Sequence, residues 1–193
     1  MNLLQLLNKE ELSKIKEISV LKDQILFNEN DLCDCIGVIS EGELKIVSYL
    51  ENGKEVIYND LGVNQVFGNN LLFSSEPFFR GDVIAKKDSK VYIIEKDALL
   101  YLLKNNEKFL IAYLNNQSDF GKQLNLNIKL LTLNNAKDRI LYYLSINKDK
   151  IRYKSISDLA NRLFLTREAT SRELHRLEKE KIIKINAKEI VKI

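Results

Sequence analysis

The chain of 193 residues has no tryptophan, one proline, one histidine and two cysteines. Each scarcity removes a class of chemistry. With His175 as the only histidine, haem ligation by histidine and a Ser-His-Asp arrangement elsewhere in the chain lack a residue to use. Cys33 and Cys35 are too few for an iron–sulfur cluster within one chain, and no histidine lies near them to complete a zinc site. No glycine-rich phosphate loop occurs, and carboxylate pairs such as Glu10-Glu11 sit in polar, helical context and read as solvated. These absences together point away from an enzyme. No apolar run approaches the ~20 residues of a membrane span. The N-terminal MNLLQLLNKEELSKIKEI carries charges throughout, so it does not read as a secretory signal. Two cysteines without an export signal imply a reducing compartment, the cytoplasm.

What is present divides by period. Hydrophobic content of 45% and charged content of 30% are those of an ordinary globular chain, long enough for one large domain or two small ones. Residues 2–18 read as one or two short helices with Leu3, Leu4, Leu7, Leu12, Ile15 and Ile18 on the apolar side. From Ser19 short β-branched and aromatic runs follow: VLKDQILF, CIGVISEGELKIVSYL, KEVIYNDL and SKVYIIEK. The turn signals Asn28–Asp31, Glu41-Gly42, Glu51-Asn52-Gly53, Gly62 and Gly68 separate them, which suggests a sandwich or barrel of about eight strands. ENGKE reads as a hairpin turn, because Asn-Gly tolerates positive φ.

After Lys96 helical period returns and continues to about Asn134. Tyr113, Gln117, Phe120, Leu124, Ile128 and Leu131 approximate a heptad seam, and Leu110, Leu114, Leu126, Leu130 and Leu133 form a second strip. A buried core helix would explain either strip alone. A helix of roughly 30 residues spans ~45 Å, however, more than a small domain covers, so one strip is available to a partner. Asn134-Asn135 read as a hinge.

The stretch SISDLANRLFLTREATSRELHRLEKEKII, Ser155 to Ile183, organises the rest. Ser155 caps one short helix, whose buried face is Ile156, Leu159, Ala160 and Leu163. Thr166 caps a second, with Thr170, Leu174 and Leu177 inward and Arg167, Glu168, Ser171, Arg172 and His175 on the opposite face. A charged helix face is commonly only a solvated one. Here, though, arginine can bond guanine O6 and N7 together and glutamate can accept from the cytosine amino group, as major-groove reading requires. IIKINAKEIVKI follows as two β-rich runs around Asn186-Ala187-Lys188. Between Ala136 and Ile193 fifteen Lys and Arg stand against eight Asp and Glu, a net of +7, whereas the remainder of the chain nets −4. Such an asymmetry is the footprint of phosphate contact.

A β-domain, a long helix and a C-terminal winged helix-turn-helix, in that order, resemble the Crp/Fnr family of bacterial transcription regulators over nearly the whole chain. Thr166–Arg172 is similar to the family's S/T-R-E-T-V-x-R signature, with L-x-x-L-E at Leu174–Glu178. Asp138-Arg139-Ile140 resembles the start of the family's DNA-binding domain, and Asn28–Asp31 with Ile36–Gly42 its opening hairpin. Phe164 and Lys181 stand where the family commonly has glycine. The resemblance implies an α+β chain with three parts: a β-roll sensor domain (double-stranded β-helix, jelly-roll-like) at 1–104, a long dimerisation helix and hinge at 105–135, and a winged helix-turn-helix at 136–193. It further implies that Arg167, Glu168 and Arg172 contact bases beside Ser171. Lys184, Lys188 and the hydroxyls of Ser155 and Thr166 would hold the backbone. Tyr113, Phe120, Leu124, Ile128 and Leu131 would pair two chains. Double-stranded DNA, a second copy and RNA polymerase are the implied partners, with no membrane.

Members that bind a cyclic nucleotide carry F-G-E…L and then R-S/T-A; the glutamate takes the ribose hydroxyl and the arginine the cyclic phosphate. Here Phe67-Gly68-Asn69-Asn70-Leu71 replaces the glutamate with Asn69, and Phe79 stands in the arginine's place with Arg80 one residue late. On a strand, that shift turns Arg80 to the other face. Gly68, Asn69, Asn70, Phe79 and Arg80 are therefore effector-pocket candidates for which cyclic AMP and cyclic GMP are not expected, with no cofactor assigned and the effector left open. A shifted loop restoring Arg80 is the alternative. Cys33 and Cys35 read either as two small residues near a turn or as a redox pair, the latter poorly placed for an unstrained disulfide. The rival to a DNA-binding regulator is an effector- or redox-sensing module acting through protein contacts.

Overall fold

The computed structural model describes residues 2–53 and 55–193; Met1, and Lys54 of the ENGKE turn, lie outside them. The chain divides into two compact units, the first ending at Asp119 and the second running Phe120–Ile193.

A 3-10 turn (Leu3–Leu6) and α1 (Lys9–Ser13) open the first unit. Asn8 and Glu11 close a capping box on α1, each side chain accepting from the other's backbone N–H at 2.9 and 2.8 Å. The helical expectation to residue 18 then fails, because β1 (Lys16–Val20) begins at Lys16 and pairs with β6 (Asp82–Glu95), Ile18 opposite Val91. Leu12, Ile15 and Ile18 recur at a spacing of three and imitate a helix face, while Lys16–Val20 in fact alternates at period two. Glu11 is not solvated either: it is buried and also accepts from Asn106 Nδ2 at 3.1 Å.

The sheet is antiparallel, ordered β1-β6-β3-β4, with β2 (Ile25–Phe27) on β6 and β5 (Val66–Phe67) on β3 (Cys35–Tyr49). Among the described residues six strands replace the expected eight, because β3 and β6 run 15 and 14 residues without interruption. Glu41-Gly42 is therefore not a turn. It lies where the β3·β6 register shifts, a bulge at which Gly42 holds φ +92° and a Cβ would fall 2.0 Å from Ser89 Oγ. The ENGKE hairpin joins β3 to β4 (Glu55–Leu61), with Tyr49 opposite Glu55 and Gly53 at φ +77°. Ile36, Ile39, Leu44, Phe67, Val83, Val91 and Ile94 form the core of this unit, and Leu99, Leu102 and Phe109 close one side of it. Each such burial contributes about 1.5–3 kcal/mol.

α2 (Lys96–Asn105) and α3 (Glu107–Thr132) are separate helices where the sequence period runs unbroken. Asn106 divides them: its extended backbone ends α2, and its Oδ1 accepts the Phe109 N–H at 3.0 Å to start α3.

The second unit continues from α3 into α4 (Ala136–Ile146), β7 (Lys150–Arg152), α5 (Ile156–Leu163), α6 (Arg167–Lys179), β8 (Ile183–Asn186) and β9 (Glu189–Lys192). The three strands form one antiparallel sheet, ordered β7-β9-β8. Leu130, Ile140, Leu144, Leu159, Leu163, Leu174, Leu177, Ile183 and Ile190 build its core.

Candidate nucleic-acid interface

Caps and one tight turn build the candidate surface. Ser155 Oγ accepts the Asp158 N–H at 3.1 Å and starts α5. The helix ends at Phe164, whose backbone is left-handed (φ 54°, ψ 44°), and the Leu165 N–H closes on Ala160 O at 3.0 Å. Thr166 Oγ1 then accepts the Ala169 N–H at 3.1 Å and opens α6. Since both cap oxygens act as acceptors, the Ser155 and Thr166 O–H protons remain free to donate outward.

Inside α6, Thr170, Leu174 and Leu177 are buried, as their spacing requires, and the Thr170 hydroxyl donates to Thr166 O at 2.9 Å. On the other face Arg167, Glu168, Arg172 and His175 are exposed, whereas Ser171 is half-buried. Lys184 on β8 and Lys188 in the β8–β9 turn are exposed too. Tyr153 holds that turn, its N–H donating to Lys188 O at 3.1 Å and its hydroxyl to Ala187 O at 3.4 Å. Sequence reasoning missed Tyr153, which lies just after the unanticipated β7.

Charge within the unit is divided by use. Arg162 pairs with Asp158 at 2.6 Å, Arg176 and Lys137 with Glu180 at 3.0 and 3.3 Å, and Arg152 and Lys150 with Glu189 at 2.8 and 3.0 Å. Hydrogen bonds from Arg176 and Lys137 hold the Glu180 carboxyl below the usual range, and those from Arg152 and Lys150 do the same for Glu189. Among the described residues, Arg167, Arg172, Lys184 and Lys188 form no ion pair, and Glu168 is equally unpaired. The cations without an internal partner include the ones singled out as readers and backbone contacts.

The effector-pocket candidates do not converge. Phe79 is buried, its ring stacked on Phe27 with centroids 4.6 Å apart and tilted toward Phe67 at 6.5 Å. Arg80 is exposed at a bend before β6 and pairs with Glu76 at 2.9 Å. Asn70 is exposed, and Gly68 turns the chain at φ +77° beside Cys35 O. Asn69 is buried, and its side-chain amide donates to Gln117 Oε1 at 2.5 Å. Gln117 Nε2 in turn donates to Asn69 O at 2.7 Å and to the Tyr113 hydroxyl at 3.2 Å. The segment's cation, Arg80, thus lies outward, and Asn69, in the glutamate's place, is engaged by Gln117 of α3.

One further expectation is corrected. Tyr113 cannot belong to a seam between chains, because it is 5% exposed and packed in the core of the first unit. Its period matched the exposed seam only because residues 113, 117 and 120 also follow a four–three spacing. Of the two readings of Cys33 and Cys35, burial favours small residues packed near a turn: both are 2% exposed, and burial pushes their thiols up to about 11 and about 12. Such thiols stay protonated at neutral pH, and thiolate is the reactive form. Gln117, read as a seam position, is the partner of Asn69; a polar residue inside an apolar repeat was its signal.

Comparisons with known proteins agree with this architecture. Residues 17–106 match the cyclic nucleotide-binding domain family. No curated protein matches the sequence at a significant level. A transcriptional regulator from Thermotoga maritima is 29% identical, covering 64% of this chain and 96% of its own, with a TM-score of 0.59. The catabolite activator protein of Thermus thermophilus is 19% identical over 100% of this chain and 94% of its own, with a TM-score of 0.57. A double mutant of CooA from Carboxydothermus hydrogenoformans, also 19% identical, covers 100% of this chain and 91% of its own at a TM-score of 0.72. Among the described residues no helix is long and apolar enough to cross a membrane. Residues 17–106 thus match the cyclic nucleotide-binding domain family, and the chain as a whole is similar in fold to these solved regulators, of the Crp/Fnr type that its motifs resemble.

Proposed function

We propose that this protein is a sequence-specific DNA-binding transcription regulator that reads an inverted-repeat operator as a homodimer. The observation that carries the reading is the capped helix α6, set after α5 by a three-residue turn and presenting Arg167, Glu168 and Arg172 without an internal partner. In this reading α5 and α6 are the helix-turn-helix and β8–β9 is its wing. Arg167, Glu168 and Arg172 contact base edges, with Ser171 at the margin. Ser155, Thr166, Lys184 and Lys188 hold phosphates. RNA polymerase is the downstream partner, and the reaction catalysed is none.

Cyclic AMP is not the effector. An exposed, paired Arg80 and a stacked Phe79 support this, because an unpaired cyclic phosphate in an apolar interior costs several kcal/mol, roughly 2–7 or more. Calorimetric titration with cyclic AMP should give no saturable heat; a stoichiometric isotherm would overturn the assignment.

The reading itself is tested by selecting bound duplexes from a random DNA pool with the full-length protein at physiological salt. An enriched inverted repeat, with half-sites about one helical turn or ~34 Å apart, is expected. Affinity should fall steeply with salt as counterions are released. Arg172→Ala should cost about 1–3 kcal/mol on that repeat and relax the preference at one position of each half-site. No enrichment, together with salt-insensitive capture of a protein partner, would favour a module acting through protein contacts.

A further inference from the structure

Arg139, in the first turn of α4, donates from all three guanidinium nitrogens to backbone carbonyls. Its Nε donates to Leu133 O at 3.1 Å and its Nη2 to Leu131 O at 3.5 Å, both at the end of α3. Its Nη1 donates to Leu163 O at 3.3 Å and Phe164 O at 2.7 Å, where α5 ends. Two helix C-termini are thereby served by one cation. The last carbonyls of a helix lack intrahelical partners and carry partial negative charge, so a planar fork of donors suits them both. The second cluster of carbonyls flanks the left-handed Phe164, and α6 begins only three residues later at Arg167. The direction of the chain at Phe164 therefore helps to set the direction of α6, together with the packing of Leu174 and Leu177.

We propose that Arg139 is a positioning residue that ties the turn in front of α6 to the C-terminal end of α3, so that the two segments hold one relative orientation. Its consequence for DNA rests on the reading above. In a homodimer paired along α3, the angle of α6 to α3 sets the separation and phase of the two recognition helices. Arg139 should then govern how strictly half-site spacing is enforced, and not which bases are preferred.

The test uses full-length Arg139→Gln, which has no charge, and Arg139→Lys, which keeps the charge but loses the fork. Hydrogen exchange is the first arm and needs no DNA. Segments 130–135 and 163–166 should both exchange about ten-fold faster in either variant, with the β-domain unchanged, because charge-assisted bonds to both are lost. Acceleration in only one of the two segments, or in neither, overturns the tie. The second arm uses the inverted-repeat duplex that the wild-type protein itself enriches, with the spacer shortened or lengthened by one base pair. Each such change turns the second half-site by roughly 35°, so the wild type should lose about ten-fold or more in affinity. Arg139→Gln should bind the original duplex more weakly yet lose only about three-fold, with the same enriched half-site. A spacing penalty equal to the wild type's would reduce Arg139 to a stabiliser of the fold. If the wild type enriches no duplex, the DNA reading fails while exchange still decides the tie.

Discussion

Lys181 and Phe164 hold left-handed backbone at φ 58° and 54° without being glycine. An L-residue in that region costs about 1–2 kcal/mol relative to its right-handed form. Lys181 is exposed, and only its N–H, donating to Glu178 O at 3.0 Å, is used by the fold. Lys181→Gly should therefore raise stability by about 0.5–1 kcal/mol after the extra unfolded-state entropy of glycine is subtracted. Urea denaturation checks this: the midpoint should rise at unchanged slope, and an unchanged or lower midpoint would show the strain to be relaxed elsewhere. The opposite exchange at Gly68 has no room, since a Cβ there would sit 2.7 Å from Cys35 O. The buried thiols carry a pH signature of known sign. Burial raises Cys33 and Cys35 from the ordinary 9.0 to about 11 and about 12, so above pH 9 the unfolded chain sheds these protons first. Their contribution is complete below pH 9 and is lost as pH rises through 11 and 12. Native protein at pH 7.5 should resist iodoacetamide until denatured, and rapid labelling of the folded chain would contradict the burial.

At the scale of elements, the contact between Asn69 and Gln117 is the one that a sequence-level cassette would not suggest. Asn69 is buried, and both polar ends of its residue, amide N–H and backbone oxygen, are answered by one side chain of α3. Removing Gln117 leaves buried groups unsatisfied, at about 1–3 kcal/mol. Gln117→Leu and Asn69→Leu should each destabilise the protein, and the double variant should cost less than the two together by about 0.5–3 kcal/mol. Strict additivity in a denaturation cycle would mean that the pair does not act as a unit. The helices were the more legible elements, because caps and i, i+4 spacing are local: Ser155, Thr166 and the buried set Thr170, Leu174, Leu177 stand where the pattern puts them. The strands were less so. A bulge at Gly42 and a turn at Gly53 use the same residue type, and only the partner strand β6 distinguishes them. The break at Asn106 was hidden for a related reason, since apolar period continues on both sides of it while the cap that divides the helices is a single amide. For the candidate site, outward residues of α6 could be read from periodicity, but the reach of Arg139, Tyr153 and Gln117 depends on segments distant in the chain, which no local pattern encodes.

For the whole molecule, the face of α3 that remains uncovered decides how two copies could meet. Leu114, Leu124, Ile128 and Leu131 are 50, 50, 52 and 55% exposed. With Leu110 and Gly121 they follow a four–three repeat along one helix, residues 110, 114, 121, 124, 128 and 131, whose remaining position, Gln117, is turned to Asn69. Phe120 lies half-buried beside this line, and Tyr113 is off it. Gly121 adds an argument of its own. Glycine inside a helix costs about 1 kcal/mol relative to alanine. Yet a Cβ there would meet no atom within 4 Å, so nothing in the chain itself requires its absence. A second helix lying close against that position would. Ile128→Glu places a charge in the middle of the repeat, where pairing would have to desolvate it without a partner, so the proposed homodimer should dissociate to monomer at micromolar concentration in sedimentation equilibrium. The monomer should stay folded, with an unfolding midpoint that no longer depends on protein concentration, because Ile128 is exposed within its own chain, and it should lose the steep preference for an inverted repeat over a single half-site. Tyr113→Ala should do the reverse, lowering the unfolding midpoint through a cavity in the first unit while leaving association intact. A dimer that survives Ile128→Glu would move the interface off this face of α3, and with it the geometry proposed for two copies of α6 on successive turns of DNA.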